Sequence, residues 1–289
     1  MQNDSLPSVP SCASVAEAAT TQGWQAELRL GFEQRSTKTV LATRQQRGPL
    51  AVQRPFYPEG DVCHAYVLHP PGGVVGGDCL QMHFQVAPNA HALLTTPGAT
   101  KFYRSAGLQA QQHQHFHVTQ GCLEWLPQEN IFFPGANTAL HSTIHLDAAA
   151  QYIGWEIHCL GRPVIGETFA QGRALFKTAL YRAGKPLLLD RLLIASETDL
   201  HTAAGLRGQP VMATLLATPA TPALLEAVRP HCQDIANGSA GVTLFNDVLV
   251  VRYLGNSTAQ AHRLFRHLWH IIRPLVTGRP ATPPRIWNT

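Results

Sequence analysis

GPLAVQRPFYPEGDVCHAYVLHPPGGVVGGD, residues 48–78, governs the reading of the chain around it. Two glycine pairs, Gly72-Gly73 and Gly76-Gly77, bracket Val74-Val75, and the run closes on an acid, Asp78. Paired glycines reach backbone conformations with positive φ and let another chain or an ion approach the main chain closely. A phosphate loop would continue with Lys-Ser or Lys-Thr and open a helix. Neither follows, and residues 80–86 alternate with the period of a strand. Nucleotide binding is therefore not supported.

Outward from it the same grammar repeats. Short alternating or apolar runs at 26–32, 37–44, 61–68, 81–86, 91–96, 112–119, 121–126, 138–146 and 151–159 are separated by Pro, Gly and Asn. Further runs lie at 187–194 and 211–216. This predicts a mostly β body of sandwich, barrel or solenoid type. No fixed-period repeat stands out in the sequence. Two helices are expected near the C-terminus. Residues 221–232 have Thr221 as cap and Pro222 in the first turn, with Pro230 cutting the helix short. Residues 257–277 carry a Ser257/Gln260 capping box and an apolar stripe of Leu264, Phe265, Leu268, Ile271, Ile272 and Leu275. Between them, residues 242–253 read as a strand pair about an Asn246-Asp247 turn.

Composition narrows the classes. Of 289 residues 45% are hydrophobic and 14% charged, so the core is large and the charged surface thin, which leaves weakly polar surface for partners. The net charge of +4 is scattered, which argues against a nucleic-acid partner. No apolar stretch reaches membrane-spanning length, and the first twenty residues lack the pattern of a secretory signal. Residues 1–22 are small, polar and Pro/Ser-rich, and are expected to be disordered. The six cysteines form no CxxC pair, so free thiols and a cytoplasmic location are expected.

The Gly-rich run resembles the urease accessory protein family UreD, also called UreH. The resemblance continues through TTPGATKFYRS (95–105), LEWLPQENIFFPGA (123–136) and LGRPVIGETF (160–169), and ends with PRIW (284–287), in the family's order. It implies an irregular β-helix-like stack of short strands with about two C-terminal helices, formed by one domain over 23–289 with an appendage at about 219–278. It also implies a non-enzymatic maturation chaperone. Such a protein binds apo-urease and UreF, and UreG through UreF, and assists nickel delivery through a water-filled tunnel. No cofactor is tightly bound, and Ni2+ passes transiently. The interfaces implied include the C-terminal helices and the aromatic pairs Phe102-Tyr103 and Phe132-Phe133. Where the family commonly has Asp after the tryptophan, this chain has Glu156.

Three sets of residues carry metal chemistry or charge. Acids inside the resembling blocks are Asp78, Glu124, Glu129, Glu156 and Glu167. A carboxylate embedded in apolar sequence such as IGWEIHCLG either sits on a polar face or lines a wet cavity, because burying it unpaired is costly. Asp78, Glu156 and Glu167 are the candidates for a transient nickel path. In QQHQHFHV (111–118) the alternating His113, His115 and His117 leave one strand face about 7 Å apart. Phe116 and Val118 face the core, and the histidines face solvent or a neighbouring sheet. The alternative reading is a zinc enzyme on a β scaffold, using His113, His115 and Glu124. No G-x-S-x-G elbow marks a hydrolase. On the last helix, His262, Arg263, Arg266, His267, His270 and Arg273 are expected to form a basic face opposite the apolar stripe, either solvated or docking an acidic partner.

Overall fold

The computed structural model describes residues 23–288; the expected disordered segment 1–22 lies outside the described residues. The first strands are β1 (Gln25–Arg35), β2 (Lys38–Arg47), β3 (Ala51–Val52), β4 (Cys63–Leu68), β5 (Cys79–Val86), β6 (His91–Thr95) and β7 (Thr100–Phe102). They are followed by β8 (Ala110–Val118), β9 (Cys122–Trp125), β10 (Asn130–Phe132), β11 (Asn137–Leu146), β12 (Gln151–Arg162) and β13 (Glu167–Thr168). A hairpin, β14 (Arg173–Arg182) and β15 (Lys185–Ile194), precedes a short helix, α1 (Glu197–His201). The chain continues through β16 (Val211–Thr218), α2 (Pro222–Val228), β17 (Gly238–Phe245) and β18 (Val248–Gly255), and ends on α3 (Thr258–Thr277).

These strands build two sheets. One has seven strands in the order β15-β14-β11-β8-β5-β1-β2, and the main path of the other runs β17-β18-β16-β12-β9-β6-β4-β3. Within the first, β1, β5, β8, β11 and β14 are successive parallel neighbours. Within the second, β4, β6, β9 and β12 are too. Parallel neighbours need a long crossover, and here the opposite sheet provides it. The chain winds from β5 to β6 and β7, then from β8 to β9 and β10, with β7 and β10 forming a short third face beside β12. The mostly β, helix-like stack expected from the sequence is what the topology shows.

Each turn of this stack has its own length. His91 pairs with Cys122 and Cys122 with Gln151, offsets of 31 and 29 residues. On the other sheet Ala110 pairs with Thr138 and Asn137 with Arg173, offsets of 28 and 36. A repeat exists in space without a constant period in sequence. What is kept constant is the inward ladder: Leu30, Phe84, Phe116, Ile144 and Leu180 stand side by side across five strands, all buried. Each large apolar side chain so buried contributes about 1.5–3 kcal/mol.

Glycine is required where the Gly-rich run squeezes past the next coil. Val74 pairs with Phe102, and a Cβ on Gly73 would strike the Tyr103 ring and come within 2.7 Å of the Lys101 carbonyl oxygen. Gly77 has φ of 94°, outside the range of ordinary side chains.

A second apolar core lies on the other side of the eleven-stranded sheet. Ile153, Trp155 and Ile157 of β12 point away from the first core and pack with Phe265, Leu268, Trp269 and Ile272 of α3. Both C-terminal helices are capped as the sequence implies, Thr221 accepting from the Leu224 amide and Ser257 from the Gln260 amide. The Ser257/Gln260 box is half made, because the Gln260 side chain instead accepts from the Tyr253 hydroxyl at 3.2 Å. Leu275 departs from the expected stripe and is 60% exposed. Helix α1 and strands β3, β7, β10, β13 and β14 carry no signal among the runs read from the sequence. β14, RALFKTALYR, is composed of good helix formers, and ten registered pairs with β11 override that preference. Cys63, Cys122, Cys159 and Cys232 are free and buried, as expected; Cys79 is disulfide-bonded, contrary to the all-thiol expectation.

Candidate functional site in the polar interior

Apolar layers do not fill the whole space between the two sheets. Beside the Phe84–Phe116 layer, inward positions of adjacent strands carry Gln112 and Gln114 on β8 and Ser142 on β11, all buried. From the facing sheet, alternation along β12 sends Tyr152, Glu156, His158 and Leu160 inward. Glu156 is the meeting point. Its carboxylate accepts from Ser142 Oγ at 2.5 Å and lies 3.7 Å from His158 Nε2. Ser142 Oγ is in turn 3.2 Å from the Gln114 amide, and the Asn130 amide is 3.4 Å from His158 Nδ1. The His158 ring stacks on Phe176, centroids 4.4 Å apart.

Three cavities share Glu156 as a wall. One, of about 290 Å³, extends past Gln114, Gln112 and Asn130 to His69, Gly72 and Lys101. A second, of about 380 Å³, extends past His158 and Thr178 to Asp190 and Arg252. Between them a small void is lined by Ser142, Tyr152 and Thr214. Glu156 is half-buried, with 21% of its side chain accessible, because the cavities open onto it. His69 Nε2 and Trp125 Nε1, on the wall of the first cavity, are buried without a protein partner. Buried polar atoms of this kind call for water, so the donor set fits a wet interior.

Charge favours the same conclusion. Burial pushes the Glu156 carboxyl up, but the hydrogen bond and charge of His158, with the Ser142 hydroxyl, outweigh it and leave the pKa lowered. The group is therefore an anion at neutral pH. Carboxylate, imidazole and amide oxygens in water are the donors that divalent first-row cations accept. Among the described residues no three His, Cys, Asp or Glu converge into a ready cage. Glu156 and His158 are a pair, which suits brief contact with a hydrated ion rather than retention.

The other expected site residues lie elsewhere. Both Asp78 oxygens serve backbone amides, those of Trp24 at 2.8 Å and Val75 at 2.9 Å, which fixes the end of the Gly-rich passage. Glu167 is at the surface in a two-pronged bond to Arg162, at 2.6 and 2.5 Å. That bond braces the turn Pro163–Ile165, on which Val164 is 97% and Ile165 61% exposed. Thus Asp78, Glu156 and Glu167 are not brought together.

Glu124 is fully buried on the far face of the sheet, where it accepts from His91, Trp269 and Arg273 at 2.8, 2.6 and 2.9 Å. It shares no site with His113 or His115, so the zinc-enzyme constellation does not assemble. Arg273 also bonds Glu59 at 2.7 and 2.9 Å. It is fully buried, and His262 is nearly so against Glu129 at 2.9 Å. The single basic face expected for α3 is therefore divided, because the sheet beneath presents acids to it. One aromatic of each pair expected at interfaces, Phe102 and Phe132, is core, stacked at 4.9 Å.

His158, Ser142, Gln114 and Asn130 escaped the sequence reading. His158 was within reach of it, since it is two residues from Glu156 on the same strand and so on the same face.

The architecture and site define a β-helical stack with a polar, water-accessible interior and a helical buttress. Residues 25–288 match the family described as UreD urease accessory protein. The urease accessory protein UreD of Citrobacter koseri is 46% identical over 96% of this chain and 95% of its own length. That of Klebsiella aerogenes is 47% identical over 93% and 98%, and that of Pseudomonas putida strain W619 is 46% identical over 95% and 98%. The chain belongs to the UreD family of urease accessory proteins.

Proposed function

We propose that this protein is a urease maturation chaperone that binds apo-urease and UreF, and UreG through UreF, and assists delivery of nickel to the urease centre. One observation carries the reading: an ionised carboxylate, Glu156, lines three cavities of the stack. A hydrated Ni2+, as cargo, meets Glu156 and His158 in turn with water and amide oxygens. It is handed on because neither partner completes its coordination. Chemistry on the ion and hydrolysis of GTP belong to the partners, and this chain supplies a scaffold and a path without catalysis of its own. The exposed Val164–Ile165 turn, braced by Arg162 and Glu167, offers an apolar contact to a partner. Asp78 holds the passage beside the first cavity in shape. A cytoplasmic setting follows from this role, and among the described residues no helix is long and apolar enough to cross a membrane.

The test is coexpression with UreF, UreG and apo-urease, followed by urease activity after addition of nickel and GTP. Glu156→Gln, Asp78→Ala and Glu167→Ala are compared with wild type. Intact assembly with activity lost in Glu156→Gln supports the path. Equal activation by all variants leaves a scaffold alone, and failure of the wild-type chain to assemble removes both.

A further inference from the structure

The outer face of the seven-stranded sheet carries a second array of metal-ligating side chains, on the side away from the cavities. The sequence showed only His113, His115 and His117 on one strand. The fold adds His83 from β5 and His141 and His145 from β11 at registered positions. His83 and His115 are cross-strand partners with stacked rings 4.8 Å apart. His113 and His141 are cross-strand partners with rings 5.1 Å apart, edge to face. The two pairs adjoin, the His113 and His115 rings standing 6.4 Å apart. Nε2 of His83 and Nε2 of His141 are each buried without a hydrogen-bond partner, so each pair contains an unengaged ring nitrogen.

We propose that the strip His83, His115, His113 and His141 is a binding site for divalent first-row transition cations, each ion held by a cross-strand pair of imidazoles. Imidazole nitrogens are good donors to Ni2+, Cu2+ and Zn2+. Two that share an ion stand roughly 3 Å apart, a separation that small ring rotations reach from neighbouring strands about 4.8 Å apart. No cage of three ligands exists among the described residues, so water completes the coordination and the ion exchanges readily. Burial, with neighbouring charges, pushes His115 and His141 down to about 4, which leaves both neutral and able to ligate at neutral pH. Arg29, Glu27 and Lys177 border the strip, and Arg29 is paired with Glu27 at 2.5 Å, which limits its repulsion of a cation. The proposal is independent of the interior path, since these side chains lie on the opposite face of their strands.

Equilibrium dialysis of the untagged full chain against NiCl2 and ZnCl2 tests it. The variants are His83→Gln/His115→Gln, His113→Gln/His141→Gln and, as control, Glu156→Gln/His158→Gln, with the fold of each checked by circular dichroism. Each outer-face variant loses the ion of its own pair, about half of the outer-face component, and the interior control retains that component. Wild-type binding in both outer-face variants, or loss of all binding in the interior control, overturns the proposal. A measurement needing no variant is the Cu2+ electron paramagnetic resonance spectrum of the wild-type chain. Hyperfine structure from two imidazole nitrogens is expected, and an all-oxygen spectrum overturns it.

Discussion

Glu124 on β9 and Glu156 on β12 stand on adjacent strands of one sheet and face its opposite sides. On the helix side, Glu124 is sealed: three side-chain donors hold it, and one, Arg273, also bonds Glu59 and the Pro280 carbonyl. On the inner side, Glu156 has one hydroxyl and one more distant imidazole, and cavities take up the rest of its surroundings. Both are charged at neutral pH, for different reasons. Burial pushes the Glu124 carboxyl up, but His91, Arg273 and Trp269 overcome that and hold it at about 2. The contrast teaches that a buried acid is structural when donors saturate it and available for chemistry when water does.

The largest effect should come from breaking the sealed side. Arg273→Met leaves Glu124 and Glu59 buried without their cation and should lower stability by about 3–5 kcal/mol in urea unfolding; a loss below about 1 kcal/mol would mean that the seam is wet. Next, Glu156→Gln should stay within about 1 kcal/mol of wild type, because an amide still meets Ser142. It should nevertheless reduce nickel-dependent urease activation roughly tenfold or more. Glu124→Gln should show the reverse pattern, with lost stability and activation that recovers wherever the chain is folded.

Acid titration separates the faces further, read as unfolding free energy against pH. A carboxyl held below its unfolded value contributes stability above about pH 4.5, and that stability is lost as pH falls toward 2. Glu124→Gln should flatten this limb. A second, separate limb belongs to the outer histidines. His115 and His141 titrate near 6.5 when unfolded and near 4 when folded, so the unfolded chain binds protons first and stability declines from about pH 6.5 to 4. His115→Gln/His141→Gln should flatten that limb and leave the lower one intact.

Much of this was legible in the sequence because strands announce themselves by alternation. Ile153 through Cys159 alternate around Glu156 and His158, so the sequence itself shows the acid in apolar company. Two things hid the rest. The offset between stacked positions ranges from 28 to 54 residues, so the winding has no period to detect. Arg273 looks like surface charge in the sequence, because amphipathic analysis sends charge outward; only Glu124 of the sheet beneath α3 and Glu59 of the turn before β4 reveal why a guanidinium belongs inside. The outer histidine strip is only half visible in the sequence for a similar reason, since its other members come from strands about thirty residues away.

The winding also acts as a ruler. Each added coil advances the stack by one strand spacing, about 4.8 Å, whatever the length of the loops that complete it. The seven-stranded sheet, with β2 and β15 running antiparallel to their neighbours at its two ends, therefore spans roughly 29 Å from first strand to last. A relative with one coil fewer would fall short by about 5 Å and one with an extra coil would overshoot by the same step. The width of the molecule across this sheet is counted in whole turns.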